Sequence, residues 1–127
     1  MFNVKTFASV LLSLLVVFGS LPTYAANSAN SFSEKGQATY YADKIRNKKT
    51  ASGEPYRPDL KTAAHKTLPF GTLLKVTNLA NGKSVNVRVN DRSQRTKGRV
   101  VDLSKAAFSS IGHLSAGALS VKIEVLK

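Results

Sequence analysis

The stretch LLKVTNLANGKSVNVRVN, residues 73–90, decides the fold. Its two halves have the alternating pattern of β-strands, and the connection between them contains Asn81-Gly82, a hairpin signal. Successive side chains of a strand point to opposite faces, so three valines should face the core while the polar residues between them face outward or toward a groove. The valines are Val85, Val87 and Val89, and the polar residues are Asn86, Arg88 and Asn90. We predict an antiparallel hairpin of strands 73–78 and 84–90.

Four further strands are predicted on either side of this hairpin. Short segments rich in β-branched or aromatic residues and bounded by turn residues are typical of strands. These segments are residues 36–42, 61–64, 99–102 and 121–126. Residues 43–58 are basic and contain the Ser52-Gly53 turn pair, so we predict a long exposed loop there.

One short helix is predicted at residues 104–111. Ser104 can cap its first turn, and Gly112 can end it in a left-handed conformation. About six strands and one helix in a chain of this length predict an all-β domain, mainly β with one short helix, closed into a small barrel.

The N-terminus has the three parts of a secretory signal. Lys5 lies in a short basic start, an apolar run follows, and small residues lead to Ala26. We expect residues 1–26 to be removed, 27–35 to form a flexible leader and 36–127 to form one domain. The apolar run is short for a membrane span and the chain has no cysteine for a lipid, so we expect an exported protein without a stable membrane anchor, in the periplasm or elsewhere in the envelope or outside the cell.

The chain is strongly basic, with a formal net charge of +12 over 127 residues. Such a charge predicts attraction to polyanions, and the export signal favours anionic envelope polymers over nucleic acid. Alternatively, the lysines only solvate the surface, because the basic residues are spread along the chain. The absence of cysteine excludes disulfide bonds, so packing alone must hold the domain together. We expect a monomer.

Five motifs occur in an order that resembles the rare lipoprotein A-like family. They are TASGE at 50–54, TAAHKTLPFGT at 62–72, VTNLANGKSV at 76–85, VNDR at 89–92 and GRVVDLSKAA at 98–107. The resemblance covers nearly all of residues 36–126. It implies a six-stranded double-psi β-barrel, a fold shared with expansins and barwin-type proteins.

The resemblance also implies an activity. Members of this family are endolytic lytic transglycosylases, lyases and not hydrolases, that cleave the MurNAc-GlcNAc β-1,4 bond of peptidoglycan and leave 1,6-anhydro-MurNAc ends. By resemblance, Glu54, His65 and Asp91 match positions tied to activity, and Asp102 lies where expansins carry an important aspartate. A single carboxyl can act as acid and then as base in this reaction.

Two departures from the family keep other functions open. The chain has neither the lipid-bearing cysteine nor the C-terminal peptidoglycan-binding repeat domain of many members, and Ser93-Gln94-Arg95 stands where they usually have Gly-Pro-Phe. The alternative function is a non-catalytic, expansin-like protein that binds and loosens cell-wall polysaccharide. A basic secreted scaffold that recruits other proteins is a third hypothesis.

Two aspartates are candidates for the proton chemistry. Asp91 ends a predicted strand and opens a loop, where a side chain is rigid and can reach substrate, although an aspartate there can also form a local Asx turn. Asp102 precedes the predicted helix, where an acid can interact with the helix dipole. Because that position disfavours a proton donor, we assign Asp102 a supporting role in substrate binding.

The remaining candidates are weaker from the residues alone. A lone loop histidine such as His65 is usually a surface residue, and a turn glutamate such as Glu54 usually has no specific role. Flat tyrosine rings suit sugar stacking, but alternation sends Tyr40 and Tyr41 to opposite sides, so one of them should contact substrate. The stacking candidates are Tyr40, Tyr41 and Tyr56, and the arginines expected to line an anion-binding groove are Arg88, Arg92 and Arg95. The spacing of histidines and acids predicts no metal site and no cofactor.

Overall fold

The regular elements are six strands and one helix. A computed structural model describes residues 32–94 and 97–126. The elements are β1 Ser33–Tyr40, β2 Thr62–Ala64, β3 Leu73–Asn78, β4 Ser84–Asp91, β5 Arg99–Leu103, α1 Lys105–Ile111 and β6 Leu119–Val125, with 3-10 turns at Asp43–Ile45 and Leu114–Ala116. The predicted signal segment, Arg95 and the last residue of the predicted domain lie outside the described residues. Within the described ranges, no helix is both long enough and apolar enough to cross a bilayer.

The strands close into a barrel, as predicted, and their order around it is β1-β5-β2-β4-β3-β6. β1 pairs in parallel with β5, and β2 pairs in parallel with β4, while the other neighbours are antiparallel. Ala64, at the end of β2, is paired with Asp91 on one side and with Asp102 on the other. Two strand spacings therefore separate the backbones of these aspartates, roughly 10 Å.

The predicted hairpin of β3 and β4 is confirmed. Val76 lies opposite Val85, and Gly82 in the connecting loop has a φ of 76°, a left-handed conformation that glycine adopts without strain. The three valines of β4 are buried in the barrel together with Phe108 and Ile111 of α1. This packing of α1 across the barrel fixes the strand ends on which the polar residues lie.

Three predictions about local structure were wrong. The predicted leader reaches too far, because β1 begins at Ser33 and its polar start pairs with β6 through backbone hydrogen bonds, which place no demand on side-chain polarity. Asn90 is buried although its alternation predicted an outward or groove-facing position, since the register between β2 and β4 shifts near the end of β4. Gly112 is extended, and a Cβ there would lie 2.8 Å from Leu119 Cδ1, so this glycine serves close packing.

Ser104 is the cap of α1, as predicted. Its hydroxyl accepts a hydrogen bond from the N–H of Ala107, and its own backbone is extended. The segment 43–58 is less exposed than predicted, because Tyr56 within it is buried.

Candidate active site

Asp91 is the last residue of β4, and both of its carboxylate oxygens are held by donors from distant parts of the chain. Oδ2 accepts a hydrogen bond of 2.5 Å from the hydroxyl of Tyr41, and Oδ1 accepts one of 2.8 Å from the N–H of Ala51. A local Asx turn is therefore not what fixes this side chain. With both oxygens restrained, the carboxylate has one orientation relative to the barrel.

Tyr41 follows β1 and has a rigid environment of its own. Its ring packs against that of Tyr56 with 4.5 Å between centroids, and the Tyr56 hydroxyl accepts a hydrogen bond from the N–H of Lys105. Burial, and then the hydrogen bond to Asp91, raise the pKa of Tyr41 far above its ordinary value, so its hydroxyl keeps its proton at neutral pH. The sugar-stacking role predicted for Tyr56 is wrong, because only 2% of this residue is exposed.

Tyr40 points away from Asp91, as strand alternation predicted. Its hydroxyl donates to the carbonyl of Leu114 and its ring packs against Phe108 of the core. The side chain of Tyr40 is thus anchored to the core, whereas that of Tyr41 contacts Asp91.

The TASGE motif forms a tight turn against the end of β4. Thr50 donates from its N–H and from its hydroxyl to the carbonyl of Glu54, while the N–H of Ser52 donates to the carbonyl of Asn90. Gly53 has a φ of 94°, which other residues adopt only with strain. This turn places the N–H of Ala51 next to Asp91. Because the donor is a backbone group, the pattern of side chains in the sequence could not predict it.

Glu54 points away from the Asp91 carboxylate and pairs with Arg88. The two guanidinium nitrogens of Arg88 lie 2.7 and 3.2 Å from the two carboxylate oxygens of Glu54, and the side chains are 40% and 45% exposed, respectively. The hydrogen bond from Arg88 lowers the pKa of Glu54, so this acid is ionised at neutral pH. The charge of Arg88 is therefore balanced by Glu54, and Arg88 does not line the anion-binding groove predicted for it.

His65 is fully buried, so it is not the surface residue that a lone loop histidine usually is. Nδ1 accepts hydrogen bonds of 3.1 Å from the backbone N–H groups of Thr67 and Leu68, which puts the proton of the neutral ring on Nε2. Nε2 lies 3.3 Å from a carboxylate oxygen of Glu34. Burial lowers the pKa of His65. The backbone N–H of His65 donates to the carbonyl of Asp91, so the two residues meet through the main chain and not through their side chains.

Asp102 lies in β5, and its partners are on the barrel wall. Oδ1 accepts a 2.5 Å hydrogen bond from the hydroxyl of Thr39 and is also paired with Arg99. The helix-dipole interpretation was wrong, because α1 begins beyond this strand and Ser104 caps it. Asp102 is a fixed part of the wall of the cleft that also contains Asp91.

Arg92 is exposed, yet its guanidinium is fixed on two sides. Nη1 donates to the carbonyls of His65 and Asp91 at 3.2 and 3.4 Å, and Cζ lies 4.2 Å from the centroid of the Phe70 ring. Cation–π packing of this kind orients an arginine that would otherwise move freely.

These residues surround an open cleft of about 290 Å³. It is lined by Tyr40, Tyr41, Ile45, Ala64, Asp91, Arg92, Ser93, Gln94, Arg99 and Asp102. A second, basic cleft shares three of these residues and adds Glu34 and three lysines, Lys35, Lys66 and Lys97. Of the predicted site residues, Asp91, Asp102, Arg92 and Tyr41 line the first cleft, whereas Glu54, Arg88 and the His65 ring do not.

Sequence reasoning missed Glu34, Thr39 and Arg99. Glu34 was hidden in the polar segment taken for a leader, and the other two were counted only as strand residues. The alternation along β1 puts Thr39 beside Asp102 once the parallel pairing with β5 is known, but that pairing is a long-range contact that no local pattern contains.

Comparison with known proteins gives consistent results. The family model described as lytic transglycolase matches residues 33–123. The endolytic peptidoglycan transglycosylase RlpA of Pasteurella multocida is 43% identical over 85% of this chain and 37% of its own length, and that of Vibrio cholerae is 50% identical over 75% of this chain and 36% of its own. The chain thus spans little more than a third of the length of these relatives.

Solved structures share the fold. A Streptomyces papain inhibitor has a TM-score of 0.62 at 23% identity, covering 76% of this chain and 96% of its own. An expansin from Clavibacter michiganensis has a TM-score of 0.60 at 26% identity, covering 76% of this chain and 51% of its own. The barrel is therefore of the double-psi type predicted from the motifs, and the chain belongs to the lytic transglycolase family.

Proposed function

We propose that this protein is an endolytic lytic transglycosylase that cleaves the MurNAc-GlcNAc β-1,4 bond of peptidoglycan and leaves 1,6-anhydro-MurNAc ends. The observation that carries the proposal is the Asp91 carboxylate, held by Tyr41 and Ala51 in an open cleft. The relatives named above carry this activity in their names, and this chain matches little more than a third of their length.

Asp91 supplies both proton transfers in this proposal. Protonated Asp91 gives its proton to the bridging oxygen as the bond from that oxygen to C1 of MurNAc breaks. The ionised carboxylate then takes the proton of the MurNAc 6-hydroxyl as that oxygen attacks C1. The Tyr41 hydroxyl can accept as well as donate, so its contact with Asp91 persists in both protonation states.

The other candidate residues have supporting roles. Asp102 and Arg92 bind substrate from the walls of the cleft, and Tyr41 orients Asp91. His65 and the Glu54–Arg88 pair have a structural role. Their side chains stabilise the two loops whose backbones contact Asp91. The protein acts as an exported monomer in the envelope on peptidoglycan, and its basic surface also attracts other anionic envelope polymers but no nucleic acid.

The test is product identification. Purified protein is incubated with sacculi, and the soluble products are examined by mass spectrometry for 1,6-anhydro-MurNAc ends. Anhydro ends support a lytic transglycosylase, and reducing ends would indicate a hydrolase instead.

A second candidate function is expansin-like binding without cleavage. Two observations favour it: the structural likeness to an expansin, and the polar residues Ser93 and Gln94, which line the cleft at the start of the segment where the family usually has an apolar run. Cosedimentation with sacculi in the absence of any released product supports this function and contradicts cleavage.

A further inference from the structure

In the described part of the chain, Arg92 differs from Arg88 and Arg99 in having no acidic partner. Arg88 is paired with Glu54, and Arg99 is paired with Asp102. Within residues 32–94 and 97–126, no carboxylate lies within ion-pair distance of Arg92. Its charge is thus available to a ligand in the cleft that it lines.

The guanidinium of Arg92 is oriented before any ligand binds. One nitrogen, Nη1, is used by the carbonyls of His65 and Asp91, and one face packs on Phe70. Within the described residues, Nε and Nη2 donate to no protein group, and these two nitrogens form the edge that binds a carboxylate in a bidentate manner. An oriented, unpaired guanidinium loses little entropy when it binds an anion.

An exposed aromatic ring lies against the face of this guanidinium. Phe70 is 43% exposed although it is a large aromatic residue, and the guanidinium covers part of its ring. The Phe70–Arg92 pair therefore offers a carboxylate-binding edge next to an apolar patch. A small group that carries a carboxylate and a methyl on one carbon fits both.

We propose that the Phe70–Arg92 pair is a subsite for the lactyl ether of MurNAc, with the carboxylate on Arg92 and the methyl on Phe70. The inference rests on the proposed function, because it takes MurNAc as the sugar bound next to Asp91. The lactyl ether sits on the same pyranose ring as the C1 that reacts, and Arg92 directly follows Asp91 in the chain. The subsite thus distinguishes MurNAc from GlcNAc at the bond that is cleaved.

The experiment compares three oligosaccharides of equal length. One alternates GlcNAc with MurNAc bearing a free lactyl carboxylate, the second has this carboxyl reduced to an alcohol, and the third is a chitin oligomer without lactyl groups. Affinities are measured by calorimetry in an Asp91→Asn background, which prevents turnover. Arg92→Gln should weaken binding of the first oligosaccharide about tenfold, the value of one charge-assisted contact, and leave the other two unchanged.

Three further variants separate the subsite from general charge and from misfolding. Arg92→Lys keeps the charge but loses the paired donors of the guanidinium. Its affinity for the carboxylate-bearing oligosaccharide should lie between those of the wild type and Arg92→Gln. Phe70→Leu should weaken both lactyl-bearing oligosaccharides and spare the chitin oligomer. Lys83→Gln removes one charge at the opposite end of β4, roughly 25 Å from Asp91, and should affect the carboxylate oligosaccharide far less than Arg92→Gln does.

If Arg92→Gln loses the same affinity for all three oligosaccharides, the subsite is overturned. The same holds if Arg92→Gln and Lys83→Gln weaken binding of the carboxylate-bearing oligosaccharide equally. Cleavage by the wild-type protein is scored separately. If the wild type forms no anhydro ends while the carboxylate selectivity depends on Arg92, the proposed function fails and the subsite stands. If the wild type cleaves the reduced oligosaccharide as well as the native one, the subsite fails and the function stands.

Discussion

The Asp91 carboxylate gets its fixed orientation from Tyr41, a residue fifty positions away in the chain. Replacing Tyr41 with Phe removes the donor and keeps the ring that packs on Tyr56. We expect kcat for the release of 1,6-anhydro-MurNAc ends to fall about tenfold or more, because the carboxylate loses one of the two donors that orient it.

Tyr40→Phe is the matched control. It removes a tyrosine hydrogen bond of the same barrel, to the carbonyl of Leu114, without touching Asp91. The kcat of this variant should equal that of the wild type. Equal losses of kcat in both variants would mean that Tyr41 acts only through stability.

His65 makes stability depend on pH. The folded state disfavours the charged ring, so its pKa is lowered, and the unfolded chain binds the proton first as pH falls through the ordinary value of 6.5. Stability is therefore full above that value and is lost as the pH decreases below it. Urea unfolding at pH 7.5 and pH 5.5 should show the loss in wild type and a smaller one in His65→Gln. His113→Gln, which changes an exposed histidine, should keep the wild-type difference.

At the scale of elements, β1 and β5 approach so closely that one position between them requires glycine. A Cβ on Gly36 would lie 2.4 Å from Val100 Cγ1 and 2.8 Å from the carbonyl oxygen of Gly98. Because one of these neighbours is backbone, side-chain movement alone cannot relieve the clash. We expect Gly36→Ala to lower the free energy of unfolding by about 1–3 kcal/mol, measured by urea denaturation.

A double variant, Gly36→Ala with Val100→Ala, tests which of the two contacts causes that loss. Val100→Ala removes the Cγ1 atom, which is the nearer of the two. The double variant should therefore regain only part of the free energy of unfolding that Gly36→Ala loses, because the clash with the carbonyl oxygen of Gly98 remains. Wild-type stability in Gly36→Ala would mean that β1 and β5 are further apart than described here.

Local pattern was sufficient for most elements and insufficient for most contacts of the site. The hairpin of β3 and β4 follows from the alternating pattern and from Asn81-Gly82, and the helix start follows from Ser104. Each of these signals acts within a few residues. The contact of Tyr41 with Asp91 depends on closure of the barrel. The start of β1 was missed because Ser33 and Glu34 are polar, and the pairing of Glu34 with His65 was missed with it.

At the scale of the whole molecule, charge governs the encounter with the substrate polymer. The formal net charge is +12, and the basic cleft next to Asp91 contributes three lysines. Binding to sacculi should weaken steadily as salt rises from 50 to 500 mM, because the screening length shortens roughly threefold for a tenfold rise in ionic strength. Cosedimentation at a series of salt concentrations measures this, and salt-independent binding would contradict charge as the main attraction.

Asp91→Asn tests the central claim most directly, because the amide keeps the size of the side chain and loses the proton chemistry. The rate at which 1,6-anhydro-MurNAc ends appear from sacculi is measured for wild type and variant after their melting temperatures have been shown to agree. Assigning both proton transfers to Asp91 predicts a loss of about 100-fold or more in the variant. Anhydro ends formed by Asp91→Asn at the wild-type rate would contradict that assignment.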